Sequence, residues 1–211
     1  MDPEDLRLAI YHQLATTGTA PGAAALGHPE ALRSLVERRH VVLGDDGEVV
    51  LAHPFATIPL GFSVMGSHTL WWGGCAWDSF AIPHLVPGEP SVLVATTCPA
   101  CDAAHAWTVT NERPPDGDQV AHFLVPVPHI WDDVVRSCGN QRIFCSDGCV
   151  ATWLDRTGHD AGSAFDLATL WRLARGWYAG RLERGYARRE PAEAAAYFAE
   201  VGLTGPFWGL P

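Results

Sequence analysis

Lysine is absent from this 211-residue chain: all 14 basic side chains are arginine, set against 24 Asp and Glu for a formal net charge of −10. Such a balance repels a phosphate backbone, so no nucleic-acid partner is expected. Long apolar runs are also missing. Gly, Pro or His interrupts each one well short of the roughly 18 residues a spanning helix needs, so no membrane association is expected. The first residues, Met1-Asp2-Pro3-Glu4-Asp5, are acidic and lack the basic-then-apolar order of a secretory signal, which places the expected location in the cytoplasm. There thiols stay reduced, and the six cysteines read as ligands or nucleophiles rather than as disulfides. Charge is sparse at 18% and hydrophobic residues reach 47%, enough for a core and too apolar for disorder.

What is present organises into an α+β chain. Leu6, Ile10 and Leu14 recur at helical spacing over 4–16, an Ala-rich helix follows at 20–26, and Pro29 opens a third helix to about Arg39. Val41–Leu43 and Val49–Leu51 flank Gly44-Asp45-Asp46-Gly47 as a β-hairpin. Three helices and a hairpin form a winged-helix-like pattern, assigned to a first domain over 1–58. With so few basic residues on its third helix, a structural or lid role is expected of it. Residues 53–59 read as a linker. A second domain over 59–211 is expected to hold a mixed sheet (strands near 62–64, 68–71, 92–95, 106–109 and 122–125) and C-terminal helices at 149–155, 164–185 and 191–201.

Two clusters carry chemistry. In Trp72-Gly73-Gly74-Cys75-Ala76-Trp77-Asp78-Ser79-Phe80 a cysteine stands where a helix is expected to start. The positive end of the macrodipole there lowers a thiol pKa, and Asp78 lies one turn on, on the same face. A thiol beside a carboxyl suits a reaction in which sulfur takes a soft metal and the carboxyl moves a proton. A buried structural cysteine with Asp78 as a helix cap accounts for the same residues. The second cluster runs Arg136-Ser137-Cys138-Gly139-Asn140-Gln141-Arg142-Ile143-Phe144-Cys145-Ser146, with Cys138 expected in a loop after a short helix at 129–136 and Arg136 and Arg142 near enough to hold a thiolate.

Together the clusters resemble the organomercurial (alkylmercury) lyase family. Cys75-Ala76-Trp77-Asp78-Ser79 is similar to its Cys-Ala-x-Asp-(Thr/Ser) helix start, preceded by a Trp and followed by an apolar run and Pro83. Cys138-x4-Ile143-Phe144-x-Ser146, with Trp153 seven further on, is similar to its second motif. The resemblance covers about residues 1–155, including the winged-helix-like start. It implies protonolysis of a carbon–mercury bond: Cys75 and Cys138 take the mercury, Asp78 accepts and then delivers a proton to the leaving carbon, and Hg(II) stays on the two sulfurs. Low-molecular-weight thiols or a mercuric reductase then remove it. No organic cofactor is implied. Thiolates are the soft ligands that mercury prefers.

Four further cysteines depart from that pattern. Cys98-x2-Cys101 and Cys145-x3-Cys149 have the spacing of a tetrahedral structural zinc site, although thiols that relay mercury, or unrelated buried cysteines, fit the same positions. Cys138 and Cys145 are both able to face Cys75, and Cys138 fits the motif. Trp171, Trp177, Tyr178 and Leu182 read as a core face, with a pocket wall as the alternative. His105, His122 and His129 read as structural. Two other functions use the same cysteines: a thiol-based metal sensor or carrier, in which Asp78 has no task, and a lyase-fold enzyme repurposed for a non-mercury substrate.

Overall fold

The computed structural model describes residues 1–210, with the side chain of Ala23 outside the description. Pro211, which closes the second domain as read from sequence, lies outside the described residues. The chain opens with α1 (Pro3–Thr17), α2 (Ala23–Leu26) and α3 (Pro29–Glu37), then β1 (Val42–Leu43) and β2 (Val49–Ala52). These elements lie where apolar spacing and the Gly-Asp turn placed them. β2 then pairs with β3 (Phe55–Ala56), and β3 pairs with β5 (Leu70–Gly73), so the hairpin continues into the sheet that carries the site. Residues 53–59, expected as a linker, therefore contain a sheet strand. Two residues of pairing leave almost no periodicity to read.

Among the described residues the large sheet has the order β1-β2-β3-β5-β4-β6-β7, with β4 (Phe62–Met65), β6 (Ser91–Thr97) and β7 (Ala104–Thr110). A smaller sheet has the order β10-β8-β9, from β8 (Val120–Phe123), β9 (Gln141–Phe144) and β10 (Ser163–Asp166). The α+β class is as expected, but the mixed sheet is not: each described pairing is antiparallel. In the large sheet the β5-to-β6 segment carries a crossover helix, and β6 lands beside β4, which runs opposite to it. The segment 164–185, expected as one helix, divides into β10 and α7 (Leu167–Trp177), because Asp166 caps the helix by accepting from Thr169 N.

α4 (Ala76–Leu85) is buried from Ala76 to Pro83 and packs against α7. Trp77 of α4 donates to the Leu173 carbonyl at 3.2 Å and meets Trp177 at a 4.7 Å ring separation. α8 (Pro191–Glu200) adds Phe198, whose ring sits 5.1 Å from Trp177 and 5.2 Å from Trp208. Each such aromatic pair contributes about 0.5–1.5 kcal/mol beyond its buried area. At the other end Arg7 of α1 is fully buried. It pairs with Glu4 at 2.7 Å and donates to the carbonyls of Arg181 and Glu183 at 2.5 and 2.6 Å, so the first helix fixes the turn that follows α7.

Candidate active site

The chain enters α4 through Gly73 and Gly74, and both must be glycine for steric reasons. A Cβ on Gly73 would lie 2.0 Å from Ser79 Oγ, and one on Gly74 would lie 2.3 Å from Asp78 Oδ2. Cys75 is the N-cap: its sulfur accepts from Asp78 N at 3.4 Å, so the capping atom is sulfur and the carboxyl stays free for other partners. The Cys75 thiol donates to Asp78 Oδ2 at 3.2 Å. Cys138 sits in the last turn of α5 (Val134–Gly139) rather than in a loop. Asp133 caps that helix by accepting from Arg136 N, and a 3-10 turn takes up residues 127–132 before it. The Cys75 and Cys138 thiols are hydrogen-bonded to each other, and both are buried.

Three residues not read as site residues from sequence complete the cluster. His53 Nε2 is 3.2 Å from Cys138 Sγ and 3.9 Å from Asp78 Oδ2. Tyr178, just past α7, donates a short hydrogen bond to Asp78 Oδ1. Arg181 donates to the His53 carbonyl at 2.7 Å and to Tyr186 Oη at 2.9 Å, and lies 4.8 Å above the Tyr178 ring. Arg142, expected near Cys138, instead donates to the Leu60 and Thr97 carbonyls at 3.2 and 3.4 Å, with its guanidinium over Phe62. The cation beside the acid is thus Arg181.

Burial dominates the proton affinities. It pushes the Asp78 carboxyl up to about 7, against Tyr178, Cys75 and Arg181, which pull it down. Burial, the Cys138 contact and the Asp78 charge raise Cys75 well above an ordinary thiol. For Cys138 the hydrogen bond with Cys75 pulls down, but burial and the Asp78 charge leave it raised. This corrects the expectation of a thiolate at the helix start. The helix-end dipole supplies about 0.3–1 kcal/mol, whereas full burial moves a pKa by up to about 3–5 units. Burial, then Arg181 and Arg188, hold His53 down to about 3, so its ring is neutral. The resting site is two thiols and a neutral imidazole around one acid with an affinity near neutrality.

The cluster opens on a cavity of about 700 Å³ whose lining includes Trp77, Trp131, Trp177, Phe198 and Trp208, with Arg39, Arg188 and Arg189 as well. It therefore presents sulfur and a proton at one place and apolar walls around it, the surroundings suited to a soft metal bearing a hydrocarbon group.

The sequence profile of the alkylmercury lyase family (MerB) matches residues 55–179, from β3 through Tyr178. This chain belongs to the alkylmercury lyase family. Its activity is that of an organomercurial lyase, cleavage of the carbon–mercury bond. The fold is similar to that in the crystal structure of the mercury-bound form of MerB2, with a TM-score of 0.61 at 16% identity, covering 82% of this chain and 89% of that one. No curated protein matches the sequence. The family match takes in Cys75, Asp78, Cys138 and Tyr178, and stops short of Arg181. His53 lies just ahead of it, within the supposed linker, where a lone His before Pro gave no periodic or motif signal.

Proposed function

We propose that this lyase works by protonolysis, with Cys75 and Cys138 as the mercury-binding thiols and Asp78 as the proton carrier. The observation that carries this reading is the contact set at Asp78: thiol on one oxygen, Tyr178 on the other, and the second thiol alongside. An organomercurial R–Hg–X meets two thiols. As Cys75 sulfur bonds to mercury, its proton passes to Asp78 Oδ2, to which it is already hydrogen-bonded. Cys138 sulfur displaces X, and its proton leaves with X as HX. Two sulfur donors raise electron density at mercury. Asp78 then returns its proton to carbon, the electron pair of the Hg–C bond goes to that carbon, and R–H departs. Hg(II) remains on two thiolates. Protons balance: two leave the thiols, one into R–H and one into HX.

His53 is neutral and within reach of Cys138, and its N–H is suited to donating to that sulfur as the proton leaves. Tyr178 holds the Asp78 carboxyl in one orientation, so its free oxygen faces Cys75. Low-molecular-weight thiols in the cytoplasm, or a mercuric reductase, accept the Hg(II). A carrier would need the sulfurs but would have no use for a buried acid near neutrality, which favours the enzyme. The test is release of methane or benzene from methylmercury or phenylmercury in excess thiol. Hydrocarbon release abolished in Cys75→Ser, Cys138→Ser and Asp78→Ala supports these roles. Undiminished release from any one of the three removes that residue from the mechanism.

A further inference from the structure

Away from the cavity, four cysteines that the reaction does not use meet where the two sheets adjoin. Cys98 follows β6 in a tight turn closed by Cys98 N to Ala103 O and Asp102 N to Cys98 O, both 2.9 Å. Asp102 sits in the left-handed region at φ 59°, one of few non-glycine residues that tolerate it, and this turns Cys101 back toward Cys98. Cys145 follows β9, and Cys149 occupies the first turn of α6 (Asp147–Thr157), whose cap Ser146 accepts from Cys149 N. All four sulfurs lie within 4.8 Å of one another, and Cys101 and Cys145 are 3.5 Å apart.

Zinc–sulfur bonds of about 2.3 Å in a tetrahedron set the sulfurs about 3.8 Å apart, so these spacings fit one ion at their centre. A disulfide needs about 2.05 Å, well inside the closest approach here. Backbone amides and an imidazole meet two of the four sulfurs. Backbone N–H groups of Cys145, Ala100 and Cys101 point at Cys98 sulfur, and His105 Nε2 is 3.4 Å from Cys145 sulfur. Arg156 reaches from α6 to the carbonyls of Pro99 and Ala100 at 2.5 and 3.1 Å, which ties the first turn to the second pair. The apolar cluster beneath, Leu124, Phe144, Val150 and Trp153 with Cys98, is small and separate from the main core. Such a cluster is the kind that metals staple in proteins.

We propose that Cys98, Cys101, Cys145 and Cys149 bind one structural zinc ion. Four thiolates with no open position make a closed site, so the ion has no place for substrate. Its task is mechanical: it fastens the β6–β7 turn of the large sheet to β9 and α6. β9 begins just after the helix that carries Cys138, so the ion helps hold Cys138 against Cys75, which is reached from the large sheet.

The test uses untagged full-length chain purified from zinc-supplemented medium without chelator, with metal content read by mass spectrometry. One zinc per chain is expected in the wild type and in the Cys75→Ser/Cys138→Ser double variant, with loss in Cys98→Ser and Cys149→Ser. Because those last two risk misfolding, cobalt(II) exchange into the double variant is the second measurement, and it should give the visible bands and sulfur-to-metal charge transfer of a tetrahedral thiolate site. Chain free of zinc that also gives no such cobalt spectrum overturns the proposal. So does iron in place of zinc, or a cobalt signal that disappears with Cys75 and Cys138. None of these results bears on hydrocarbon release, so the lyase chemistry stands or falls separately.

Discussion

At Asp78 one carboxyl serves two hydrogen bonds, and the protein's pH response follows from it. Its affinity near 7, against an ordinary 3.8, means the folded chain binds a proton that the unfolded chain releases. The resulting stabilisation is fully present below about pH 4 and is lost as pH rises through about 7. A rise of about three units corresponds to about 4 kcal/mol. Urea midpoints for the wild type should fall between pH 5 and pH 8, while Asp78→Asn should flatten that slope; an unchanged slope would show that Asp78 does not titrate there. The catalytic sign is opposite. Accepting the Cys75 proton needs the ionised carboxylate, so kcat/KM should drop about tenfold per unit below pH 7. Asp78→Asn should retain Hg(II) binding and lose about 10²–10⁴-fold in hydrocarbon release. Tyr178→Phe removes a hydrogen bond to a charged acceptor, worth about 1.5–3 kcal/mol, and should move the acidic limb up by about one to two pH units. A limb that stays in place would leave Tyr178 with a packing role only.

At the scale of elements, the site depends on how β5 turns into α4. A Cβ on Gly74 meets the Asp78 carboxyl, whereas one on Gly73 meets Ser79 down to its Cα. Gly74→Ala should therefore displace the acid, lowering kcat about 10²-fold for a stability change of about 1–3 kcal/mol. Gly73→Ala, with backbone in its way, should lose more stability than that. Thermal melts beside hydrocarbon release separate the two, and equal stability losses would contradict the distinction. What the sequence reveals divides along the same line. Cys75 and Asp78 are legible because three residues on a helix is a local spacing, and Cys138 because its motif is short. His53 and Tyr178 are not: their partners lie 85 and 100 residues away, at Cys138 and Asp78, and no local pattern marks such pairs. β9 and β10 are faint in the sequence for another reason. Both are four-residue strands, and β10 buries neither face fully, so its alternation is faint.

For the molecule as a whole, the two ends of the chain converge on the reaction. Arg7 holds the carbonyls of Arg181 and Glu183, and Arg181 in turn holds His53. The aromatic wall comes from α4, α7, α8 and the segment at Trp208, and it is much larger than a methyl group. Apolar surface buried there contributes roughly 25 cal/mol per Å², so phenylmercury should exceed methylmercury in kcat/KM by at least about tenfold. Phe198→Ala should narrow that ratio, and an unchanged ratio would mean the organic group rests elsewhere.

The 100-residue separation between Asp78 and Tyr178 also sets an order of events during synthesis. On the roles proposed above, Cys75, Asp78 and Cys138 are all synthesised before the tyrosine that steadies the acid. A chain that stops short of Tyr178 would therefore hold both sulfurs and the acid, but not the hydrogen bond that fixes the carboxyl in one orientation.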